Sequence, residues 1–351
     1  MRRLYAVCVV ALFSTLTLPA SGGEVQNTVK DKFHVIEVDP FEIQKGVNLP
    51  PDYFASLQDE LVKQLEESHQ FKAVLRPQQP PPSADEPVLR LTGVVTGFKQ
   101  GSRAKRYFGG FGTGAGQLIA HTRYIDRSTG DTVIEAEVIG TLTGGVFGGD
   151  SKNVIHDFAK AVVTTTKLTM LKPLSSERHE VTKTAESSVP AETKTLDISA
   201  SDLGPGQQKL NELAAQGFRI VNYASTSNKS ATLTLQKSAD GSQGCEYRLL
   251  RTLLPGNLQK DLNKAAADGF RLVPHTVGFM KGYFLIAEKP AGPDGVRYEY
   301  RIHATVRVSS AEKNVKEDQA QGYVLIDTSQ VLNNTHLIVL EREAGGQPPA
   351  S

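Results

Sequence analysis

The sequence contains no tryptophan and only two cysteines among its 351 residues. Cys8 lies within an apolar N-terminal run, so a chain that loses this run keeps Cys245 alone. A single thiol cannot form an internal disulfide, and a metal site made of several thiolates is excluded. The folded chain must therefore be stabilised by packed hydrophobic cores.

The sequence also lacks an excess of charge of either sign. It has 39 Lys and Arg residues against 38 Asp and Glu residues, which gives a formal net charge of +1. Proteins that bind nucleic acids usually show a basic imbalance or a concentrated basic stripe. We therefore expect no nucleic-acid partner.

Long apolar runs are missing except at the N-terminus. Arg2 and Arg3 precede an apolar run at residues 4–18, and residues 19–23 are Pro, Ala, Ser and two glycines. This arrangement predicts a secretory signal peptide over residues 1–23, which would place the mature chain outside the cytoplasm, in the periplasm or secreted. The run is short for a membrane span, so we expect no transmembrane segment after cleavage. An uncleaved N-terminal anchor is the alternative.

The sequence carries no recognisable catalytic motif. There is no Gly-x-Ser-x-Gly segment, Cys245 has no evident histidine partner, and none of the eight histidines stands three or four residues from another. We interpret His121 and His156 as surface or core residues. The glycine-rich segment 109–116 precedes a strand pattern rather than a helix, and segment 144–149 lacks the Lys-Ser or Lys-Thr pair of a phosphate-binding loop.

From these absences we predict no cofactor, no metal site and no enzymatic activity. A hydrolase that uses carboxylates alone is the alternative, because such pairs meet only in the fold.

What the sequence does contain is a block of about fifty residues that occurs three times. The segment Leu-Asn-Glu-Leu-Ala-Ala-Gln-Gly-Phe at 210–218 returns as Leu-Asn-Lys-Ala-Ala-Ala-Asp-Gly-Phe at 262–270 and, more weakly, as Val-Lys-Glu-Asp-Gln-Ala-Gln-Gly-Tyr at 315–323. The apolar spacing predicts a helix, and the glycine suits the left-handed position that often ends helices. One strand pattern precedes each helix and two follow, so each block is predicted to form a β-α-β-β unit.

The unit boundaries follow from matched residues. From the aromatic after the glycine to a closing basic residue all three copies have the same length, and the closing residues are Lys237, Lys289 and Arg342. With the strand pattern before each helix, the predicted limits are 194–237 for unit 1, 246–289 for unit 2 and 297–343 for unit 3, followed by a disordered tail at 344–351.

The unit pattern resembles a small bacterial family, the domain of unknown function numbered forty-one seventy-seven. The resemblance covers the leading strand, the helix that ends in glycine and an aromatic residue, and the two strands that close on a basic residue. That family usually has tryptophan where this chain has Phe218, Phe270 and Tyr323. The resemblance implies no catalytic residues.

Residues 24–170 are predicted to form an N-terminal α+β domain. Strand patterns cover five segments, at 33–38, 71–75, 88–98, 117–126 and 132–142. A helix that opens at Pro50-Pro51 has an apolar stripe made of Phe54, Leu57, Leu61 and Leu65. A second helix, capped by Asp150 or Ser151, extends to Leu168. Residues 171–193 are polar and predict a flexible linker.

The fold class predicted for the chain is α+β. It comprises an N-terminal mixed α/β sandwich with a mainly antiparallel sheet and two helices, followed by three tandem β-α-β-β units.

The N-terminal pattern resembles a second family, the domain of unknown function numbered forty-four ten. The resemblance rests on Leu91-Thr-Gly93, on the stretch 107–116, and on Asp126-x-x-Thr-Gly130. That family is similar in layout to the curli-secretion lipoprotein and to the N-terminal domain of TolB, which are envelope proteins that contact partners. The resemblance implies a role in the bacterial cell envelope.

The sequence suggests one interaction surface. Basic and aromatic side chains beside the two glycine-rich segments are candidates for contact with a partner, namely Arg103, Lys105, Arg106, Tyr107, Phe108, Phe111 and Phe147. A solvated loop is the alternative interpretation, because short charge runs are common on protein surfaces.

These observations predict an exported, non-catalytic binding or scaffolding protein of the cell envelope that has a protein partner. A homo-oligomer is a further option. The alternative function is an extracytoplasmic hydrolase that acts on glycan or peptide at a site between repeat units.

Overall fold

The computed structural model describes residues 28–99, 116–141, 153–174, 192–227, 229–238, 244–291, 296–331 and 335–345. The signal peptide, the two cap residues of the last N-terminal helix and the C-terminal residues beyond 345 lie outside these ranges. The described residues form six helices and four sheets, which confirms the predicted α+β class.

The N-terminal part forms a six-stranded sheet. Its elements are α1 (Val29–Lys32), β1 (Val35–Val38), β2 (Glu42–Ile43), α2 (Pro51–Glu67), β3 (Ala73–Leu75), β4 (Val88–Lys99), β5 (Gln117–Asp126), β6 (Thr132–Thr141) and α3 (Asn153–Thr169). The strand order is β3-β1-β4-β5-β6, with β2 beside β4. The short pairings of β1 and β2 are parallel, and the long pairings of β4, β5 and β6 are antiparallel.

Helices α2 and α3 pack on one face of this sheet and form the largest hydrophobic core. Leu57, Leu61 and Leu65 of α2 are buried, as the apolar stripe predicts. The prediction for Phe54 is wrong, since this side chain is 41% exposed and Tyr53 is buried instead. The ring of Tyr53 packs edge-on against Phe98 with 5.8 Å between ring centroids, so the buried stripe begins one residue earlier.

The C-terminal part forms three units of one strand, one helix and further strands. Unit 1 has β7 (Thr193–Ser199), α4 (Leu203–Ala215), β8 (Phe218–Ser227) and β9 (Ser230–Lys237). Unit 2 has β10 (Glu246–Thr252), α5 (Pro255–Ala267), β11 (Arg271–Leu272), β12 (Gly278–Phe279) and β13 (Tyr283–Lys289). Unit 3 has β14 (Tyr298–Thr305), α6 (Val308–Gln319), β15 (Val324–Val331) and β16 (Thr335–Glu343).

In each unit the closing strand lies between the leading strand and the second strand. The orders are β7-β9-β8, β10-β13-β11 and β14-β16-β15, and all neighbours are antiparallel. In unit 2 the second strand is divided into β11 and β12, and Pro274, which cannot donate a backbone hydrogen bond, lies in the gap. The leading strand and the second strand are therefore the two edges of every unit.

The helix ends agree with the sequence. The glycines after the three helices, Gly217, Gly269 and Gly322, have φ angles of +85°, +93° and +84°. The aromatic ring that follows each glycine is buried, and two cations contact it. One cation comes from the leading strand and one is the closing basic residue; the pairs are Lys194 and Lys237 on Phe218, Arg248 and Lys289 on Phe270, and Arg301 and Arg342 on Tyr323. The matched basic position is thus explained by cation–π contacts within each unit.

The three units stack so that the helices of units 1 and 2 are each buried between their own sheet and the sheet of the next unit. Leu210 of α4 shares a core with side chains of unit 2, among them Tyr247, Phe284 and Ile286. Leu258 and Leu262 of α5 share the next core with side chains of unit 3, among them Ile302, Leu337 and Val339. A unit of about fifty residues would have only marginal stability by itself, because a small domain buries little surface. Burial of its helix against the next sheet supplies the additional core.

Amide side chains of α4 and α5 pair with the leading strand of the next unit. Asn211 accepts a hydrogen bond from the backbone N–H of Tyr247 at 2.7 Å and donates to the carbonyl of the same residue at 3.2 Å. Asn263 does the same with Tyr300 at 2.8 and 3.0 Å. Gln207 and Gln259 add one bond each, from the N–H groups of Leu249 and Ile302. These side chains satisfy backbone groups that an open edge strand would leave unpaired.

An ion pair reinforces each of the two contacts between units. Arg219 of unit 1 pairs with Glu288 of unit 2. At the matched positions, Arg271 Nη2 of unit 2 lies 2.8 Å from Glu341 Oε1 of unit 3. We call the residues that reach the next unit the connector set: Gln207, Asn211 and Arg219 in unit 1, and Gln259, Asn263 and Arg271 in unit 2.

The first unit has no predecessor, and its outer face is polar. Thr195, Thr232 and Thr234 stand on this face, at the positions where units 2 and 3 have the apolar pairs Leu249/Ile302, Phe284/Leu337 and Ile286/Val339. A terminal repeat with a polar outer face is how repeat arrays are capped.

Unit 3 packs on the N-terminal part, on the side where units 1 and 2 pack on the next unit. Its residues at the connector positions are Glu312, Lys316 and Val324. Glu312 Oε2 lies 3.3 Å from Lys167 Nζ of α3. Leu168 and Leu171 are buried in one cluster with α6 and the unit 3 sheet. Ordered structure therefore continues into the segment that the sequence assigns to the linker, and β7 begins within that segment at Thr193.

Candidate functional site

The face of the N-terminal sheet that points away from α2 and α3 is polar along β5 and β6. Glu135 and Glu137 alternate with the buried Ile134, Ala136 and Val138 on β6. An antiparallel sheet usually exposes such a face to water. Here the second strands of units 1 and 3 lie against the sheet, since β15 contacts β6 and β8 contacts β4. The polar face is therefore an internal contact between the N-terminal sheet and the stack.

Titratable and polar groups from all four parts of the chain meet at this contact. We call them the junction cluster: His121, Glu135, Glu137, Ser225, His275 and Asp327. The backbone N–H of Ser225 donates to Glu137 Oε2 at 2.9 Å. His121 Nε2 lies 3.7 Å from Glu135 Oε2. The backbone N–H of His275 donates to Asp327 Oδ2 at 2.7 Å.

The two carboxyl groups of β6 titrate in opposite directions. Burial raises the pKa of Glu137 to about 7, although the hydrogen bond from Ser225 and the charge of His121 oppose the rise. The contact with His121 lowers the pKa of Glu135, and the charge of His275 acts in the same direction. Two neighbouring carboxyl groups with separated pKa values are the arrangement that acid–base catalysis uses, so this pair is the strongest chemical candidate in the described residues.

Tyr223 of β8 closes one side of the junction cluster. Its ring stacks on Phe284 of unit 2 with 6.1 Å between centroids. Burial raises the pKa of its hydroxyl well above the usual value, and the charge of Glu137 adds to this effect. A Cβ atom at Gly278 would lie 2.7 Å from this hydroxyl, so glycine is the residue that lets β12 pass over Tyr223.

The structure places only part of the residues that the sequence singles out. The predicted interaction surface, Arg103, Lys105, Arg106, Tyr107, Phe108, Phe111 and Phe147, lies outside the described residues. His121 belongs to the junction cluster, and His156 Nδ1 lies 2.6 Å from Glu60 Oε1 in a contact between α3 and α2. Burial, together with the charge of Glu288, raises the pKa of Cys245 to about 11, so this thiol is protonated at neutral pH.

A second feature lies at the strand-to-helix turns of units 2 and 3. Leu253, Leu254 and Val306 are 77%, 60% and 62% exposed. They follow β10 and β14 directly, and Leu253 and Val306 occupy matched positions. Large apolar side chains with this exposure are notable when they are grouped rather than scattered.

Hydrogen bonds between the units show that these turns are neighbours. Asn263 pairs with Tyr300, and four residues earlier Gln259 pairs with Ile302, so α5 runs antiparallel to β14. Four helical residues and two strand residues both advance by about 6 Å. The start of α5 therefore lies beside the end of β14, which brings Leu254 next to the turn that holds Val306.

Cations flank these apolar side chains. Arg251 is an exposed residue next to the end of β10, and Arg307 follows Val306. Lys281 lies in the hairpin turn between β12 and β13. This turn lies beside the end of β10, because Thr252 pairs with Tyr283. We call this surface the turn edge: Arg251, Leu253, Leu254, Lys281, Val306 and Arg307. The segments 251–257, 279–283 and 305–311 that build it contain no carboxylate.

Two classes of site are not found in the described residues. None of their helices has the length and apolar character needed to cross a bilayer. In the same residues, no three His, Cys, Asp or Glu side chains converge in a way that would hold a metal ion.

Comparison with known families gives one match. Residues 25–145 match the family model described as Domain of unknown function (DUF4410), within the region where the sequence resembles that family. This is about a third of the chain. The resemblance of the three units to the family numbered forty-one seventy-seven stays a prediction. A search of curated proteins finds no match.

Comparison with solved structures gives several partial similarities. A PelC dodecamer from Paraburkholderia phytofirmans is 17% identical, with a TM-score of 0.28, over 38% of this chain and 87% of that chain. A putative neuraminyllactose-binding hemagglutinin homolog from Helicobacter pylori is 13% identical, with a TM-score of 0.25, over 42% of this chain and 87% of that chain. At these scores neither similarity supports an argument about function.

Proposed function

We propose that this chain is an exported, non-catalytic binding or scaffolding protein of the bacterial cell envelope, located in the periplasm or secreted. The observation that carries the proposal is the turn edge, where exposed leucine and valine side chains stand beside cations. Apolar groups arranged in this way favour a surface that binds a partner. The N-terminal signal pattern supports export.

The positions of the recurring polar residues in the stack support a scaffolding function. Side chains that recur between units, such as Asn211 and Asn263, bind the next unit. The recurring residues therefore maintain the stack and do not line a shared cleft. When the recurring residues of an array form contacts between units, the residues that vary remain on the outer surface. Repeat proteins commonly bind their partners with such a surface.

Export is tested by expressing the full chain with a C-terminal tag in a bacterium that has two membranes. We expect the tagged protein in the periplasmic or secreted fraction, with an N-terminus generated by cleavage near residue 23. An uncleaved protein in the cytoplasm would contradict the proposed location.

Binding is tested with the mature, full-length chain on beads in an envelope extract solubilised with detergent. The wild type is compared with Leu253→Ser/Leu254→Ser/Val306→Ser, which removes the apolar side chains of the turn edge. We expect a component that the wild type retains and this variant loses. The matched control is Val221→Ser/Val296→Ser, which changes two exposed valines elsewhere. Equal retention by all three proteins would contradict the role of the turn edge.

A second candidate function is an extracytoplasmic hydrolase, and the separated pKa values of Glu135 and Glu137 favour it. Glu137, however, accepts a backbone hydrogen bond from Ser225 and lies between the sheet and unit 1, so a substrate would have to displace unit 1. The test is hydrolysis of peptidoglycan, soluble glycans and peptides by the mature protein. Activity that Glu137→Gln abolishes without unfolding the protein would favour the hydrolase over the binding protein.

A further inference from the structure

We infer that the turn edge binds the surface of a lipid bilayer that carries anionic headgroups. This inference rests on the proposed binding function and names the class of partner for that surface.

The apolar side chains have the exposure that interfacial insertion needs. Leu253, Leu254 and Val306 belong to turns and contribute little to the cores of their units, since more than half of the surface of each residue is accessible. Residues that are exposed in this way can enter the headgroup region of a bilayer without any rearrangement of the fold. Contact between these apolar side chains and water is unfavourable, and insertion into the headgroup region removes that contact.

The cations of the turn edge have no acidic partners in the described residues. Arg251, Lys281 and Arg307 form none of the ion pairs between described side chains, whereas most other arginines of the stack, such as Arg219 and Arg271, do. The three positive charges therefore remain available to anionic phosphates. A juxtaposition of exposed leucine with unpaired arginine and lysine matches the composition of protein surfaces that lie on anionic membranes.

The geometry places these groups along one edge. Successive strand-to-helix turns stand side by side, because the start of α5 lies beside the end of β14. The hairpin turn with Lys281 joins the same edge, because Gly282 lies against the carbonyl of Thr252. A row of this kind suits an extended, flat partner, and attachment would be peripheral, as no described helix is suited to spanning a bilayer.

The test measures cosedimentation of the mature full-length protein with vesicles. One set contains phosphatidylcholine with about a third phosphatidylglycerol, and the other contains phosphatidylcholine alone. We expect binding to the anionic vesicles only, and weaker binding in high salt because salt screens exposed charges. Failure to bind the anionic vesicles in low salt, or equal binding to both sets, would overturn the inference.

Two variants separate the contributions. Arg251→Gln/Lys281→Gln/Arg307→Gln is expected to weaken partition into anionic vesicles roughly hundredfold, since each cation near such a surface contributes about fivefold. Leu253→Ser/Leu254→Ser/Val306→Ser is expected to abolish the binding that remains in high salt. Serine at position 254 stands at the N-cap of α5, where it is a preferred residue, so a loss of binding cannot be ascribed to a weakened helix.

The control and the alternative partner complete the test. Val221→Ser/Val296→Ser should bind vesicles as the wild type does, and binding that is unchanged in both turn-edge variants would overturn the inference. A protein from the envelope extract that the turn edge retains, together with no binding to vesicles, would overturn the lipid partner and leave the proposed binding function standing. Loss of both would contradict the proposed function as well.

Discussion

Two titratable residues, Glu137 and His336, give the protein a pH dependence with two opposed components. Burial raises the pKa of Glu137 to about 7, so the folded state binds this proton more tightly than the unfolded state does. The resulting stabilisation is complete below the ordinary value of 4.5 and is lost as the pH rises through 7. Burial lowers the pKa of His336 to about 4, so its contribution is present above 6.5 and is lost as the pH falls through 4.

Glu137→Gln removes the first component. The amide can still accept the hydrogen bond from Ser225, but it carries no charge to be desolvated at neutral pH. We expect the variant to gain about 1–3 kcal/mol in free energy of unfolding relative to the wild type between about pH 4.5 and pH 8. Urea unfolding at a series of pH values measures this difference. A difference that does not change with pH would show that Glu137 is solvated, and His336→Gln should give a difference of the opposite slope.

Gly278 and Tyr223 test the packing beside the junction cluster. A Cβ atom at Gly278 would meet the Tyr223 hydroxyl at 2.7 Å, whereas the next nearest atom of that ring is 3.5 Å away. Gly278→Ala should therefore cost about 1–3 kcal/mol. Tyr223→Phe removes the clashing oxygen, so the double variant should recover most of that loss in a double-mutant cycle of thermal unfolding. Independent, additive effects of the two changes would contradict this packing.

At the scale of elements, the connector set joins units 1 and 2 to the unit that follows each of them. Asn211→Ala or Asn263→Ala would leave a backbone N–H and a carbonyl of an edge strand without these partners, because each asparagine forms two bonds with one residue. We expect each substitution to lower the free energy of unfolding by about 1–3 kcal/mol. Chemical denaturation measures the loss.

Unit 3 supplies the matched control for this prediction. Lys316 stands at the same position of α6 and is exposed, so Lys316→Ala should change stability by no more than about 0.5 kcal/mol. Equal losses at all three positions would mean that helix propensity, and not the contact with the next unit, sets the cost.

Most elements of the units could be predicted from the sequence because their determinants are local. Each unit has its own local determinants, namely a left-handed glycine after the helix and strands with alternating apolar residues. The three glycines are Gly217, Gly269 and Gly322. The stacking of the units is harder to predict, although the sequence contains two differences between the units that reflect it. Threonine replaces apolar residues on the outer face of unit 1, and Val324 replaces an arginine of the connector set. Both substitutions mark the ends of the array once the contacts are known.

The junction cluster could not be predicted, because nothing local indicates it. Glu135 and Glu137 alternate with apolar residues in the pattern of a strand with one solvated face. Their burial depends on strands that are remote in sequence, such as β8 and β15. Asp327 reaches the cluster through a bulge between Leu325 and Asp327, which turns the strand locally and leaves no recognisable motif.

At the scale of the whole molecule, the C-terminal unit packs back on the N-terminal part. Unit 3 packs on α3 through Leu168 and Leu171, and the N-terminal sheet lies across the second strands of units 1 and 3. Since the polar face of unit 1 closes the other end, the described residues leave neither end of the stack with an apolar face that another copy could extend. A homo-oligomer would have to use a different surface.

This closure predicts that the N-terminal part and the three units unfold together. The side chain of Gln319 donates to the carbonyl of Leu171 at 3.0 Å, and Leu171 is buried beside α6, so these two parts share a core. We expect one calorimetric transition for the wild type, with the calorimetric and van't Hoff enthalpies in agreement. Leu171→Asp would place a charge in that core and should separate the transition into two, while Leu174→Asp, at a side chain that is 37% exposed, should leave it single. Two transitions in the wild type would show that the parts are independent domains. One transition in Leu171→Asp would show that the junction cluster alone is enough to couple them.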